Sequence, residues 1–181
     1  IKRAAELINV ASSSIVIAGG GCVDAGAQLA KFSETIDAPV VLTGNAKGVL
    51  SSSHPLSAGN CLVFGRIQRD IEAAELVIVV GTELSDADLY NGGKALQFGG
   101  NVIRIDIDKE QLTRRTKPTV GLVGDAGETL SALTAAIHTK TSTAGQDQAK
   151  AWREHARAKT GAQFVPWLEA IEQTLPSDVI V

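Results

Sequence analysis

Five short apolar runs that do not alternate with polar residues constrain this chain more than any other feature. They are Ser14 to Ala18, Pro39 to Thr43, Leu76 to Val80, Val102 to Ile107 and Thr119 to Val123, all rich in β-branched residues. A strand with one wet face alternates, whereas a run apolar throughout is buried on both faces, as in a parallel sheet covered by helices on either side. The stretches between them have helical spacing. Leu29 and Phe32 lie one turn apart in the segment 25–32, and Ile67, Ile71 and Ala74 follow the same period before the Leu76 run begins. A helix over 127–137 is signalled by Asp125 ahead of it and by a stripe of Leu130, Leu133, Thr134 and Ile137. Strand and helix in turn predict an α/β chain: a doubly wound parallel sheet of about six strands, in three layers, αβα.

Composition narrows the classes of function. The 181 residues, 44% hydrophobic and 20% charged, suffice for one domain and a modest appendage. The net charge of −3 is dispersed, no run of Lys or Arg occurs and only 4% of residues are aromatic, which argues against nucleic acid as a partner. Cys22 and Cys61 form no CxxC pair, and His54, His138 and His155 do not cluster with them. Two buried, reduced thiols are expected rather than a zinc site or a disulfide framework. No stretch approaches the roughly 20 apolar residues of a membrane helix and no secretory apolar run follows Ile1, so a cytoplasmic protein without membrane contact is expected.

From Thr139 the sequence turns polar and aperiodic, and helical spacing resumes over 148–160 and 165–175. This places a domain over 1–140 and an appendage over 141–181. The chain contains no Met and closes on the strand-like Val179-Ile180-Val181, which we read as a piece of a longer polypeptide whose next domain this strand would begin.

The clearest chemical feature is Gly19-Gly20-Gly21 between an apolar run and a helix. Glycines let backbone N–H groups approach a phosphate, and a helix N-terminus favours its charge. Gly19 and Gly21 match the first pair of a G-x-G-x-x-G pattern, but Asp24 occupies the third position, where it is expected to cap the helix. The competing reading of the loop is a tight turn that binds nothing. A second candidate site gathers at later strand ends: Gly81-Thr82, Asp106-Ile107-Asp108 and Gly124-Asp125, the place where open parallel sheets hold ligands. Asp106 suits a ribose or adenine, while Asp108 and Asp125 suit helix capping. Lys47 lacks the Walker spacing and reads as a loop lysine at a domain contact. Glu83, Asp86 and Asp88, without His or Cys, read as a solvated loop rather than a metal site, and His54 has no nearby Ser or Cys nucleophile in an elbow sequence such as G-x-S-x-G.

The order of these features, from the Gly19 loop through Ala38-Pro39-Val40-Val41, Lys47-Gly48, His54-Pro55-Leu56 and Gly59 to Leu76–Thr82 and Ile105-Asp106-Ile107-Asp108, resembles the central domain of thiamine-diphosphate-dependent enzymes. This is the superfamily of acetolactate synthase, pyruvate oxidase and 2-oxo-acid decarboxylases, and the resemblance covers about residues 1–140. It implies a Rossmann-like, DHS-like nucleotide-binding fold lying between two other domains of the same chain, in a homodimer or homotetramer. It also implies thiamine diphosphate and Mg²⁺ bound outside this stretch, with the activating Glu in the N-terminal domain and a GDG…N motif in the C-terminal one. Gly124-Asp125-Ala126 is not that motif, so no catalytic or metal-binding residue is expected here and the fragment alone should be inactive.

In some relatives the domain binds FAD or ADP, which the resemblance carries onto Gly19, Gly20, Gly21, Thr82, Asp106, Ile107 and Asp125. The Arg-Phe-Asp-Asp-Arg pattern of flavin-binding relatives is replaced here by Thr82-Glu83-Leu84-Ser85-Asp86. Asn45–Gly48 and Gly81–Leu84 look like the branch containing 5-guanidino-2-oxopentanoate decarboxylase. Two rival readings are a self-contained, sirtuin-like NAD module, which lacks here a zinc-ribbon Cys set and an evident catalytic His, and a vestigial structural domain with no ligand.

Overall fold

The fold was analysed in a computed structural model that describes residues 1–176. The strand-like residues 179–181 lie outside the described residues. Six strands form one sheet in the order β3-β2-β1-β4-β5-β6, every pair parallel. They are β1 (Ile15–Ala18), β2 (Val40–Leu42), β3 (Ser57–Gly59), β4 (Leu76–Val80), β5 (Asn101–Asp106) and β6 (Val120–Val123). The α-helices are α1 (Lys2–Val10), α2 (Gly26–Ile36), α3 (Gly65–Glu72), α4 (Asp86–Leu89), α5 (Ala126–Thr134), α6 (Ala144–Lys159) and α7 (Val165–Thr174).

The continuous apolar runs have their cause in two cores, one on each face of the sheet. Val16 and Ala18 of β1, with Ile78 and Val80 of β4, pack against Ile8 of α1, Leu29 and Phe32 of α2, and Leu130 of α5. The intervening Ile15, Ile17, Val77 and Val79 face the other way, onto Ile67 and Ile71 of α3, Leu89 of α4 and Trp152 of α6. Side chains leave a strand alternately to either face, so burial on both faces demands an apolar residue at every position.

Four expectations need correction. The Thr119–Val123 run is an edge strand, and its residues alternate between half-buried and exposed because only one face is covered. Asp24 does not cap α2: Ala25 holds the N-cap position, without a side-chain hydrogen bond. Asp108 does not cap an α-helix either. Its Oδ1 accepts from the Glu110 N–H (2.8 Å), closing a local turn before a short 3₁₀ segment. Asp86 and Asp88 lie in α4, where Ser85 and Asp88 form a reciprocal capping box, rather than in an irregular loop.

Beyond the polar stretch at Thr139, α6 returns to the sheet. Trp152 is 1% exposed in the α3 layer and its indole N–H donates to Asp70 (2.8 Å). Arg153, one residue on, donates to the Ser57 carbonyl of edge strand β3. An otherwise short and weakly paired edge is thereby covered by a helix.

Candidate functional site

The carboxyl ends of β4, β5 and β6 open onto a cleft of about 480 Å³. Of the residues singled out by sequence, Gly21, Gly81, Thr82, Glu83, Asp106, Ile107, Asp108, Gly124 and Asp125 line it. Gly20 lines an adjoining hollow with Asp24, Gln28 and Asp125, and Gly19 lies buried beneath. His54 is distant in role: its Nδ1 accepts from the Leu56 N–H (3.2 Å) and its Nε2 meets Glu34 (3.2 Å), so it clasps a turn.

Most donors of the glycine loop are spent on the fold itself. The N–H groups of Gly19 and Gly21 donate to Val80 and Gly81 carbonyls (2.9 and 3.0 Å), and those of Cys22 and Val23 donate back to Gly19 and Gly20 (2.9 and 3.2 Å). A Cβ on Gly19 would overlap Gly81 and Thr82, one on Gly21 would approach Gly81 Cα to 2.9 Å, and Gly81 itself has φ +58°. These glycines are dictated by two backbones crossing in van der Waals contact. A phosphate seated here would compete with the loop's own carbonyls for donors.

The cleft is rich in acceptors. Glu83, Asp106, Asp108 and Asp125 line it, and three of these carboxylates also brace loops. Asp106 accepts from the Asp108 N–H (3.0 Å), Asp108 from Glu110, and Asp125 caps α5 by accepting from the Glu128 N–H (2.9 Å). Their field reaches Cys22, whose thiol donates to the Val80 carbonyl (3.6 Å). Burial, opposed by a hydrogen bond from the Gly19 backbone and reinforced by Asp125 and Asp106, pushes that thiol up to about 12. Cys22 is therefore a protonated core residue and not a nucleophile.

Three arginines tie together the connections beside the cleft, and sequence reasoning passed over all of them. Arg104 in β5 is 1% exposed and donates to the Thr82 carbonyl (2.7 Å) and the Arg114 carbonyl (2.5 Å). Burial lowers its guanidinium pKa, while Asp106 pulls it back up. Arg114 meets Glu83 (3.1 Å) and Arg115 meets Asp86 (2.6 Å), each joining the β4–α4 connection to the β5–β6 connection. Arg115 holds Asp86 below the usual carboxylate range, chiefly by its hydrogen bond. The charged residue inside the apolar run Val102–Ile107 was a visible signal for Arg104. The other two pairs span about 30 positions and carry no local signature.

Among the described residues no group of three or more His, Cys, Asp or Glu could hold a metal ion, and no helix is long and apolar enough to cross a membrane. The site offers hydroxyl acceptors and braced loops but no nucleophile paired with a base.

Comparison with known proteins decides the family. Residues 1–133 match the family described as "Thiamine pyrophosphate enzyme, central domain". The chain belongs to this family. A probable 2-ketoarginine decarboxylase of Pseudomonas aeruginosa is 34% identical over 188 residues, covering 100% of this chain and 33% of that protein. Acetolactate synthase isozyme 1 large subunit of Escherichia coli is 32% identical over 137 residues (74% of this chain, 24% of that protein). Pyruvate oxidase of Lactiplantibacillus plantarum is 26% identical over 172 residues (92% and 28%). The central domain described here thus spans a third or less of these curated relatives.

Proposed function

We propose that this central domain serves a thiamine-diphosphate-dependent enzyme that decarboxylates or carboligates a 2-oxo acid, as scaffold rather than as catalyst. The alignment of the whole chain with the probable 2-ketoarginine decarboxylase carries the reading, and it favours a guanidino 2-oxo acid among the substrates to be tried first. Bound thiamine diphosphate supplies an electron sink for the carbanion left as CO₂ departs. It would be held with Mg²⁺ by other domains of the polypeptide; the segment here most like a GDG motif, at Asp125, caps α5. This domain's residues set the position of its neighbours: α6, pinned by Trp152 and Arg153, fixes where the chain leaves the sheet. The assembly is a homodimer or homotetramer in the cytoplasm, without nucleic-acid or membrane partners.

FAD or ADP would lie along the Gly19–Gly21 loop, Thr82, Asp106, Ile107 and Asp125. Asp106 suits a ribose, but the spent N–H groups and the surrounding carboxylates do not suit a diphosphate. The favoured reading of the cleft is therefore the structural one, without flavin. The sirtuin-like NAD alternative draws no support from a match that spans residues 1–133.

The test is CO₂ release by the full-length protein with thiamine diphosphate and Mg²⁺, from guanidino, branched and simple 2-oxo acids. Turnover of any of them supports the assignment, and inactivity against all would end it. Flavin bands near 450 nm (an approximate cofactor property) in the purified protein would overturn the structural reading of the cleft.

A further inference from the structure

We infer that Glu83 and Asp86 are specificity determinants that keep nucleoside diphosphates out of the strand-end cleft, by occupying Arg114 and Arg115 with the protein's own carboxylates. Three observations converge on this. First, the Gly19 and Gly21 N–H groups that a diphosphate would use are consumed by the crossing with Val80 and Gly81, and those of Cys22 and Val23 by the loop's own carbonyls. Second, the remaining lining presents carboxylates from Glu83, Asp106, Asp108 and Asp125, so an incoming diphosphate adds like charge to like charge in a partly enclosed space. Third, the connection 107–119, which supplies Ile107, Asp108 and Gln111 to the lining, also carries the guanidinium groups of Arg114 and Arg115. These face Glu83 at 3.1 Å and Asp86 at 2.6 Å.

The arrangement is anchored from below. Arg104 donates at once to the carbonyls of Thr82 and Arg114, holding the backbone of both connections where their side chains meet. Glu83 and Asp86 thus satisfy the arginines in the place of ligand phosphates. A diphosphate gains those cations only by displacing two carboxylates, which stay behind as uncompensated negative charge beside it.

Neutralising the two carboxylates should open the cleft. The inference goes beyond the family assignment and uses it only to choose the probe, ADP; the CO₂ assay reports on the assignment separately. In the full-length protein, isothermal titration with ADP is compared between the wild type and the Glu83→Gln/Asp86→Asn variant. Both side chains are more than half exposed (52% and 59%), so the isosteric amides leave folding intact, checked by circular dichroism. The variant is expected to bind ADP at least about tenfold more tightly, the factor that about 1.4 kcal/mol represents. Adding Arg114→Gln and Arg115→Gln should return it to the wild-type level, and adenosine, without phosphates, should not discriminate between the proteins. Micromolar ADP binding by the wild type, a variant no tighter than wild type, or an equal gain for adenosine would each overturn the inference.

Discussion

Gly81, just after β4, has a left-handed conformation, and a Cβ added there would come within 2.8 Å of Gly21 Cα. Neither backbone can retreat, because Gly19 and Gly21 donate across the same crossing. Gly81→Ala combines a positive-φ penalty with overpacking, so a loss of about 2–5 kcal/mol is expected in urea denaturation of this domain. A midpoint unchanged by the substitution would mean that the two loops do not touch. Arg104 poses the opposite problem, a buried cation neutralised by two carbonyls and a nearby Asp106. Arg104→Met removes a desolvation cost together with two charge-assisted hydrogen bonds, and the carbonyls it orphans leave a net loss of about 1–3 kcal/mol. Amide hydrogen exchange should quicken in both 82–90 and 107–118, and quickening in one alone would contradict a shared anchor. At this scale the sequence announced the glycines and not their reason. A phosphate cradle and a backbone crossing ask for the same residue type, and only the hydrogen-bond partners tell them apart.

Elements were legible where burial acts on every residue. β1, β2 and β4 stand out because two cores select apolar side chains at all positions, and β5 because they do so at Val102, Ile103 and Ile105. β3 escaped notice: Ser57-Ala58-Gly59 has no strand propensity and exists because β2 and Arg153 supply partners for its backbone. The arginine ties were illegible for the same reason, since Glu83–Arg114 and Asp86–Arg115 are made by tertiary placement of two connections. For α6 the sequence gives a helix, but its docking hangs on Trp152, fully buried with its N–H on Asp70. Trp152→Ala removes the largest side chain of the α3 layer together with that bond. A loss of about 3–5 kcal/mol is expected by thermal or chemical denaturation. A loss below about 1 kcal/mol would indicate that α6 is an appendage rather than part of the core.

For the molecule as a whole, each of the two core layers contains one thiol. Cys22 belongs to the α2 and α5 layer and Cys61 to the α3 and α6 layer. Burial pushes both to about 12 from an ordinary 9.0. Above pH 9 the unfolded chain therefore releases two protons that the folded one retains. The folded state then binds more protons than the unfolded one, and stability falls with rising pH by roughly 1.4 kcal/mol per pH unit for each thiol. Lys140 works in the other sense. Burial lowers its folded pKa below 10.5, against the pull of Glu75 and Asp37, so the unfolded chain holds the extra proton and stability rises through that window. Two thiols outweigh one partly buried lysine, and the net expectation is a decline from about pH 9 upward. Urea midpoints measured on either side of pH 9 check this, with the Cys22→Ala/Cys61→Ala variant as control: its midpoint should fall less steeply, although its absolute stability is lower. An alkaline limb as steep in the variant as in the wild type would place the sensitivity elsewhere. Alkylation separates the layers, because near neutral pH neither thiol should react until the domain unfolds, and selective reaction at Cys22 alone would mean that the crossing of Gly19–Gly21 with Gly81 opens without the rest of the sheet.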